Sequence, residues 1–380
     1  MPQKSNSDQY KWLNSGNEIF PPMLAAIHGA KKSIRLEVYI FADDLIGHQF
    51  RDALASAALR GIRVSVMVDA HGSSFLPYGF WDAFKAAGGH IRVFNPLWLR
   101  RLGFRDHRKM LVCDESVAYI GGFNIAKEYS GDGITSGWCE LGLEVKGLLV
   151  NRLADAFDDI FKNADAEHPK LGNRAHPKTR GEIFTEHGSL LLGGPGLVGN
   201  PFKLALTQDL AIAQKVNIVC AYFFPTAKIR RELLRVVKRG GKVRLILAAK
   251  SDVALSRFAT QSLYGRLLKA GVEIYEYQPQ ILHAKLIIID DLVYAGSSNL
   301  DPRSLLINYE LMLKIGDAAT VLDAEHLFEQ KLLHCKRIFL HEWKTNRSFW
   351  ERITARLAHF LLVRLDPLVA RWQLEKNRNY

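Results

Sequence analysis

His107-Arg108-Lys109-Met110-Leu111-Val112-Cys113-Asp114, followed by Gly121-Gly122-Phe123-Asn124, returns 176 residues downstream (His283 against His107). The second copy reads His283-Ala284-Lys285-Leu286-Ile287-Ile288-Ile289-Asp290, followed by Gly296-Ser297-Ser298-Asn299. One His-x-Lys-x4-Asp pattern is weak evidence. Two copies with the same small-residue and asparagine trailer at nearly equal distance mark an internal duplication. The match is not perfect, since five residues separate Asp290 from Gly296 where six separate Asp114 from Gly121, and this predicts a shift of Asn299 relative to Asn124.

The flanking sequence repeats as well. In the first half, helix-like apolar spacing at 19–30 precedes a strand at 33–41, a helix at 44–60, a strand at 61–69, a short helix at 81–87 and a strand at 90–94. The second half offers a strand at 216–224, a helix at 228–239, a strand at 242–247, a helix at 254–270 and a strand at 272–277. In each half the His-Lys-Asp stretch reads as the next strand. This β-α-β rhythm predicts an α/β protein of two homologous α-β-α halves, with mixed, mostly parallel sheets facing each other about a pseudo-two-fold axis. The expected organisation is a first half at 1–165, a linker at 166–185 marked by Pro169, Gly172 and Pro177, a second half at 186–333, and a basic segment at 334–380. Gly193-Gly194-Pro195-Gly196 lacks the Gly-Lys-Ser/Thr of a phosphate loop and reads as a turn.

Residues i and i+2 of a strand share a face, so His107 projects with Lys109, and His283 with Lys285. Two imidazoles and two ammonium groups meeting between the halves suit a phosphodiester. One neutral imidazole attacks phosphorus and becomes a phosphohistidine, while the other, protonated, donates to the departing alcohol. Lys109, Lys285, Asn124 and Asn299 are then placed to hold the non-bridging oxygens, so that no metal or cofactor is required. A histidine in such a role needs its second ring nitrogen fixed, and Glu140 and Glu310, downstream of the two asparagines, are the candidates. Asp114 and Asp290 fall on the opposite strand face by parity and are expected to be structural.

These paired motifs resemble the phospholipase D superfamily. More of the chain is similar to its bacterial cardiolipin synthase and phosphatidyltransferase branch, from Gly16-Asn17-Glu18-Ile19-Phe20 through Glu37-Val38-Tyr39-Ile40-Phe41 and Ala221-Tyr222-Phe223-Phe224-Pro225 to Gly296–Ser304 and the basic tail. The resemblance implies one pseudo-symmetric site, with His107 as nucleophile, His283 as general acid, and the lysines and asparagines as a phosphate clamp. It implies phosphatidyl transfer between glycerophospholipids such as phosphatidylglycerol, and phosphatidylethanolamine as a further candidate. Hydrolysis to phosphatidic acid, a phosphodiesterase or nuclease, and a non-catalytic membrane scaffold are the alternatives.

Composition bounds the setting. A chain of 380 residues that is 48% hydrophobic and 24% charged is long enough for two cores, and four scattered cysteines indicate neither a disulfide framework nor a zinc site. A net charge of +12 favours an anionic membrane surface or nucleic acid, and the lipid-like features make nucleic acid the weaker partner. Neither a signal peptide nor an apolar run long enough to span a bilayer is legible, so the expected location is peripheral, on the cytoplasmic face of a bacterial inner membrane. Two stretches are expected to make that contact. Trp98, Arg100, Arg101, Phe104, Arg105 and Arg108, interleaved with Leu99 and Leu102, precede the first motif as an entrance loop. From His334 onward, ten Lys/Arg stand against four Asp/Glu. Here Trp350, Ile353, Leu357, Phe360, Leu361, Leu365 and Leu368 form one helical stripe interrupted by Pro367, with Trp343, Trp350 and Trp372 as interfacial anchors. The same stripe would also serve to pack a helix on the body of the protein.

Overall fold

The computed structural model describes residues 7–95, 104–162, 164, 181–185, 187–195, 199–345 and 348–362. The first half runs β1 (Gln9–Leu13), α1 (Gly16–Gly29), β2 (Ser33–Val38), α2 (Leu45–Leu59), β3 (Arg63–Asp69), α3 (Asp82–Ala86), β4 (His90–Phe94), β5 (Met110–Cys113), β6 (Val117–Gly121), β7 (Gly142–Lys146) and α4 (Leu149–Lys162). The second runs β8 (Gly181–Thr185), β9 (Gly188–Gly193), α5 (Pro201–Ile212), β10 (Lys215–Cys220), α6 (Ala227–Lys238), β11 (Lys242–Ala248), α7 (Ala254–Lys269), β12 (Glu273–Tyr277), β13 (Lys285–Ile289), β14 (Leu292–Gly296), α8 (Pro302–Leu306), β15 (Glu310–Ile315) and α9 (Ala318–Leu332). It continues into β16 (Cys335–Ile338), α10 (Leu340–Thr345) and α11 (Phe349–Phe360).

The duplication is visible strand by strand. The first sheet is ordered β1-β7-β6-β5-β2-β3-β4, and the second repeats it as β9-β15-β14-β13-β10-β11-β12, with β8 and β16 added at its two edges. The mixed α/β architecture holds. Parallel pairing is confined to β2-β3-β4 and β10-β11-β12, and every other neighbour is antiparallel. That is a smaller parallel share than the β-α-β rhythm indicates, because each His-Lys-Asp strand folds back through a tight hairpin instead of crossing over a helix. Gly181–Thr185, placed in the linker by its position, is strand β8 paired with β9, while residues 165–180 lie outside the described residues.

Helices α1 to α3 pack on the outer face of the first sheet, and α5 to α7 on that of the second. The inner faces share one core. Leu153, Phe157 and Ile160 of α4 and Ala324 and Phe328 of α9 fill it with residues from both sheets, so the halves are joined by a continuous hydrophobic layer. Each His-Lys-Asp stretch therefore begins where the two halves meet.

Asp114 and Asp290 sit in the hairpin turns with left-handed backbones, φ 55° and 47°. The Asp114 carboxylate accepts from the backbone N–H of Lys31 and Lys32, both at 2.7 Å, and of Ser33 at 3.0 Å. Asp290 does the same for Gln214 and Lys215. Each ties its hairpin to the first residues of β2 or β10. The missing residue of the second copy is absorbed here, in a two-residue turn where the first copy has three, so that Asn124 and Asn299 keep equivalent places. Beyond them, Phe41 bridges Ile125 and Phe223 bridges Leu300.

The C-terminal helix docks on protein. Its Ala355 and Ala358 are buried, and α11 lies along α7. Trp343, half-buried, packs its ring 4.7 Å from that of Tyr264. Leu357, Phe360 and Leu361 remain exposed. The side chain of Trp350, and Leu365, Pro367, Leu368 and Trp372, lie outside the described residues.

Asp114→Ala removes an ionised acceptor shared by three backbone donors. Chemical denaturation is expected to show a loss of about 1–3 kcal/mol with an unchanged denaturant slope. A midpoint equal to that of the parent would show that the carboxylate does not staple the hairpin.

Candidate active site

The two histidines stand just before β5 and β13, and each is held by the opposite half. The backbone N–H of His107 donates to Tyr309 O at 3.0 Å, and that of His283 to Cys139 O at 2.8 Å. Tyr309 and Cys139 immediately precede Glu310 and Glu140. This register carries the carboxylates to the imidazoles: His107 Nδ1 lies 3.1 Å from both oxygens of Glu310, and His283 Nδ1 contacts Glu140 Oε2. The pairing is crossed, first-half histidine to second-half glutamate and the reverse. Sequence selects the two glutamates but not their partners.

The small-residue trailer makes room for these carboxylates. A Cβ at Gly122 would collide with the Glu140 carboxylate, while Ser297, at the matching position, donates its hydroxyl to Glu310. Leu141 N–H donates to Glu140 Oε1 at 3.0 Å. Burial pushes both carboxyls up, but the cations around them prevail. Lys285 and His283 hold Glu140 below the usual range, and His107, Lys109 and Ser297 do so for Glu310. Burial takes His107 down to about 4, with Lys109 pushing the same way and Glu310 resisting. Burial and Lys285 also lower His283. His107, neutral, thus donates Nδ1–H to Glu310 and presents Nε2 as a lone pair, while the Glu140 carboxylate at His283 Nδ1 favours the protonated form of that ring against burial.

The lysines stand one step behind. Lys109 Nζ donates to His107 O at 2.7 Å and lies 5.3 Å from the centre of the Tyr39 ring. Lys285 Nζ donates to His283 O, and lies 2.8 Å from His283 Nδ1 and 3.6 Å from Glu140 Oε2. Neither lines the cavity described below, each ammonium being turned onto its own histidine, and Lys285 Nζ lies 3.3 Å from His283 Nε2. Burial lowers Lys109 to about 7 and lowers Lys285.

A cavity of about 460 Å³ opens over both imidazoles, walled also by Asn124 and Asn299. Asn124 is fixed, accepting from Ile40 N at 2.9 Å and donating to Tyr129 Oη at 2.6 Å. The side-chain oxygen of Asn299 is buried without a hydrogen-bond partner. Around His283 the wall is aromatic: Tyr129 and Trp138 each lie 5.5 Å from its ring and Tyr222 6.3 Å, with Tyr222 Oη donating to Asp252. Tyr39 lies 5.2 Å from the His107 ring, and Arg105 and Arg303, close enough to act on both Tyr39 and His71, line the cavity with them. Apart from Arg105, none of these wall residues stands out in the motif spacing, since each reaches the cavity only through the fold.

The entrance stretch divides. Arg105 lines the cavity. Phe104 instead belongs to the core, against Phe94 and Tyr309. Arg108 is 0% exposed, its Nε donating to Glu37 Oε1 at 2.7 Å. It lies between His107 and Lys109 and points the other way, into the layer shared by the sheets, so neither it nor Phe104 is an entrance residue. Trp98, Arg100 and Arg101 lie outside the described residues. Among the described residues no cluster of His, Cys, Asp and Glu could hold a metal ion.

Comparison with known proteins agrees with this geometry. Residues 23–163 and 206–332 match the family model described as cardiolipin synthase, PLD-like domain. The major cardiolipin synthase ClsA of Bacillus subtilis (strain 168) is 31% identical over 92% of this chain and 74% of its own length. Cardiolipin synthase A of Pseudomonas syringae pv. syringae (strain B728a) is 33% identical over 84% of this chain and 67% of its own. The crystal structure of phosphatidylserine synthase from Haemophilus influenzae Rd KW20 superposes with a TM-score of 0.74 over 95% of both chains at 16% identity, a likeness of fold. The duplicated motifs, the crossed histidine–glutamate pairs and these matches make the chain a phospholipase D-superfamily enzyme, a member of the cardiolipin synthase, PLD-like domain family.

Proposed function

We propose that the protein transfers a phosphatidyl group from one glycerophospholipid to the hydroxyl of another, phosphatidylglycerol being the favoured acceptor, through a covalent phosphohistidine. The observation that carries this reading is the pair of imidazoles on one cavity wall, each backed at Nδ1 by a carboxylate of the other half. Nε2 of His107 forms a bond to phosphorus as the bond to the headgroup oxygen breaks, and His283, protonated, gives that oxygen its proton. In the second step the acceptor hydroxyl passes its proton to His283 and attacks phosphorus, and the phosphorus–nitrogen bond breaks. Both steps need one ring neutral and the other charged, and charge moves between them as a coupled pair. Asn124 and Asn299 are placed to meet the phosphate oxygens, while Lys109 and Lys285 act on it as charges set behind the rings.

Docking on the cytoplasmic face of an inner membrane fits this reading. The chain carries a net charge of +12, and no described helix is long and apolar enough to cross a membrane. Leu362 lines the cavity beside the exposed Phe360 and Leu361, and His71 lines it at the base of a loop exposing Phe75 and Tyr78, so apolar groups flank the mouth.

Product analysis by mass spectrometry tests the reading, using phosphatidylglycerol vesicles with the parent, His107→Ala and His283→Ala. Cardiolipin from the parent, reduced by at least about 10³-fold in both variants, is expected. Phosphatidic acid alone would make the enzyme a hydrolase, and cleavage of DNA without lipid turnover would make it a nuclease.

The charge state of the nucleophile is open to a second test. His107, at about 4, is neutral throughout the neutral range, and the Glu310 carboxylate is the group that raises its value against burial. Glu310→Gln is therefore expected to lower its midpoint further, followed by NMR with isotopically labelled histidine, and to cut turnover by about 10²-fold or more. A midpoint near 6.5 in the parent, or a rise on removing Glu310, would contradict the assignment.

A further inference from the structure

The reacting parts obey the pseudo-two-fold, and part of the cavity wall does not. His107 and His283, Lys109 and Lys285, Asn124 and Asn299, and Glu140 and Glu310 are exchanged by it, as is proper for groups serving a phosphorus that must face both histidines. Arg105 stands two residues before His107, where the second half has Ile281 before His283. Arg303 follows Asn299 by four residues, where Glu128 follows Asn124. His71 lies two residues beyond the end of β3, where Lys250 lies beyond β11 with its ammonium on Pro279 O. Arg105, Arg303 and His71 line the cavity, and Ile281, Glu128 and Lys250 do not.

One side of the cavity thus carries two guanidinium groups that the symmetry-related positions lack. The two guanidinium groups are close enough to His71 to lower its pKa, with burial as the larger cause. Arg105 is almost fully buried, with Nη1 on Phe104 O at 2.9 Å. The acids on the wall are themselves held: Asp301, whose carboxyl feels the Arg303 guanidinium beside it, accepts from Ser304 N at the start of α8, and Asp252 accepts from Tyr222. Groups placed off the symmetry axis cannot serve the reacting phosphorus equally from both histidines. They serve whatever is attached on one side only, and two guanidinium groups with a neutral imidazole near them as a further hydrogen-bonding group suit an anion there.

We propose that Arg105, Arg303 and His71 form a second anion subsite, which holds the phosphodiester of the acceptor phospholipid while its free hydroxyl reaches the reacting phosphorus. This rests on the transfer reading above and deepens it. The site is built for two phosphodiesters joined through a short polyol. Water and simple alcohols carry no such charge and gain nothing from the subsite, so it sets the preference of an acceptor lipid over both.

The test offers two acceptors to one reaction. Phosphatidylglycerol vesicles containing a few per cent ethanol let the phosphatidyl group pass to phosphatidylglycerol, giving cardiolipin, or to ethanol, giving phosphatidylethanol. Arg303→Gln and His71→Gln are expected to lower the ratio of cardiolipin to phosphatidylethanol by about 10–100-fold and about 3–10-fold respectively. A ratio equal to that of the parent overturns the subsite, whether both products fall together, as they would if these residues held the reacting phosphate, or neither changes. A parent that forms neither product overturns the transfer reading and the subsite with it, which separates the two failures.

Discussion

Each imidazole of this protein is oriented by a carboxylate from the other half of the chain, and the rest of the architecture serves that exchange. An ionised glutamate buried beside a neutral histidine is costly unless its charge is answered. Here Lys109 and Lys285, the Ser297 hydroxyl and the Leu141 N–H answer it. The histidine and lysine contacts form only when Tyr309 lies against Asp106 and Cys139 against Leu282, the two parallel bridges that join the halves. The hydrophobic layer around α4 and α9 brings the sheets together, and the bridges set their register. A half on its own would hold a histidine without its carboxylate and a buried carboxylate without its histidine.

The duplication explains why one chemistry appears twice, and the departures from it explain how one side becomes different from the other. His283 sits among Tyr129, Trp138 and Tyr222, while His107 sits beside Tyr39, on which Arg105 and Arg303 act. Beneath His107 lies the buried group of Arg108, Glu37 and Asp106, where the second half has Ala284, Val219 and Leu282. A symmetric centre in an asymmetric cavity suits a reaction whose phosphorus meets both histidines in turn while its two alcohol partners differ.

Much of this was legible in the sequence because it rests on local rules. The repeat, the main helices and strands and the inter-half location of the histidines follow from motif spacing and apolar periodicity. The crossed pairing does not, because it depends on how two sheets dock. Strand parity brings each lysine to its histidine, and only the fold shows the ammonium groups seated on His107 O and His283 O. Phe104 and Arg108 share the composition of a surface loop, yet one packs on Tyr309 and the other finds Glu37, partners distant in sequence. Strands β1, β8 and β16 are edge pairings of five, five and four residues, too short for an alternating pattern to stand out from the surrounding sequence. Arg303 was visible only within a quoted stretch, and its role depends on α8 turning it into the cavity.

The central claim is that the phosphatidyl group passes through a histidine held in place by a carboxylate of the opposite half. The most direct measurement is peptide mass spectrometry of enzyme quenched during turnover of phosphatidylglycerol. The account predicts a phosphatidyl adduct on the peptide containing His107, absent from His107→Ala. Steady product formation with no adduct on either the His107 or the His283 peptide would mean direct transfer between lipids and would contradict it.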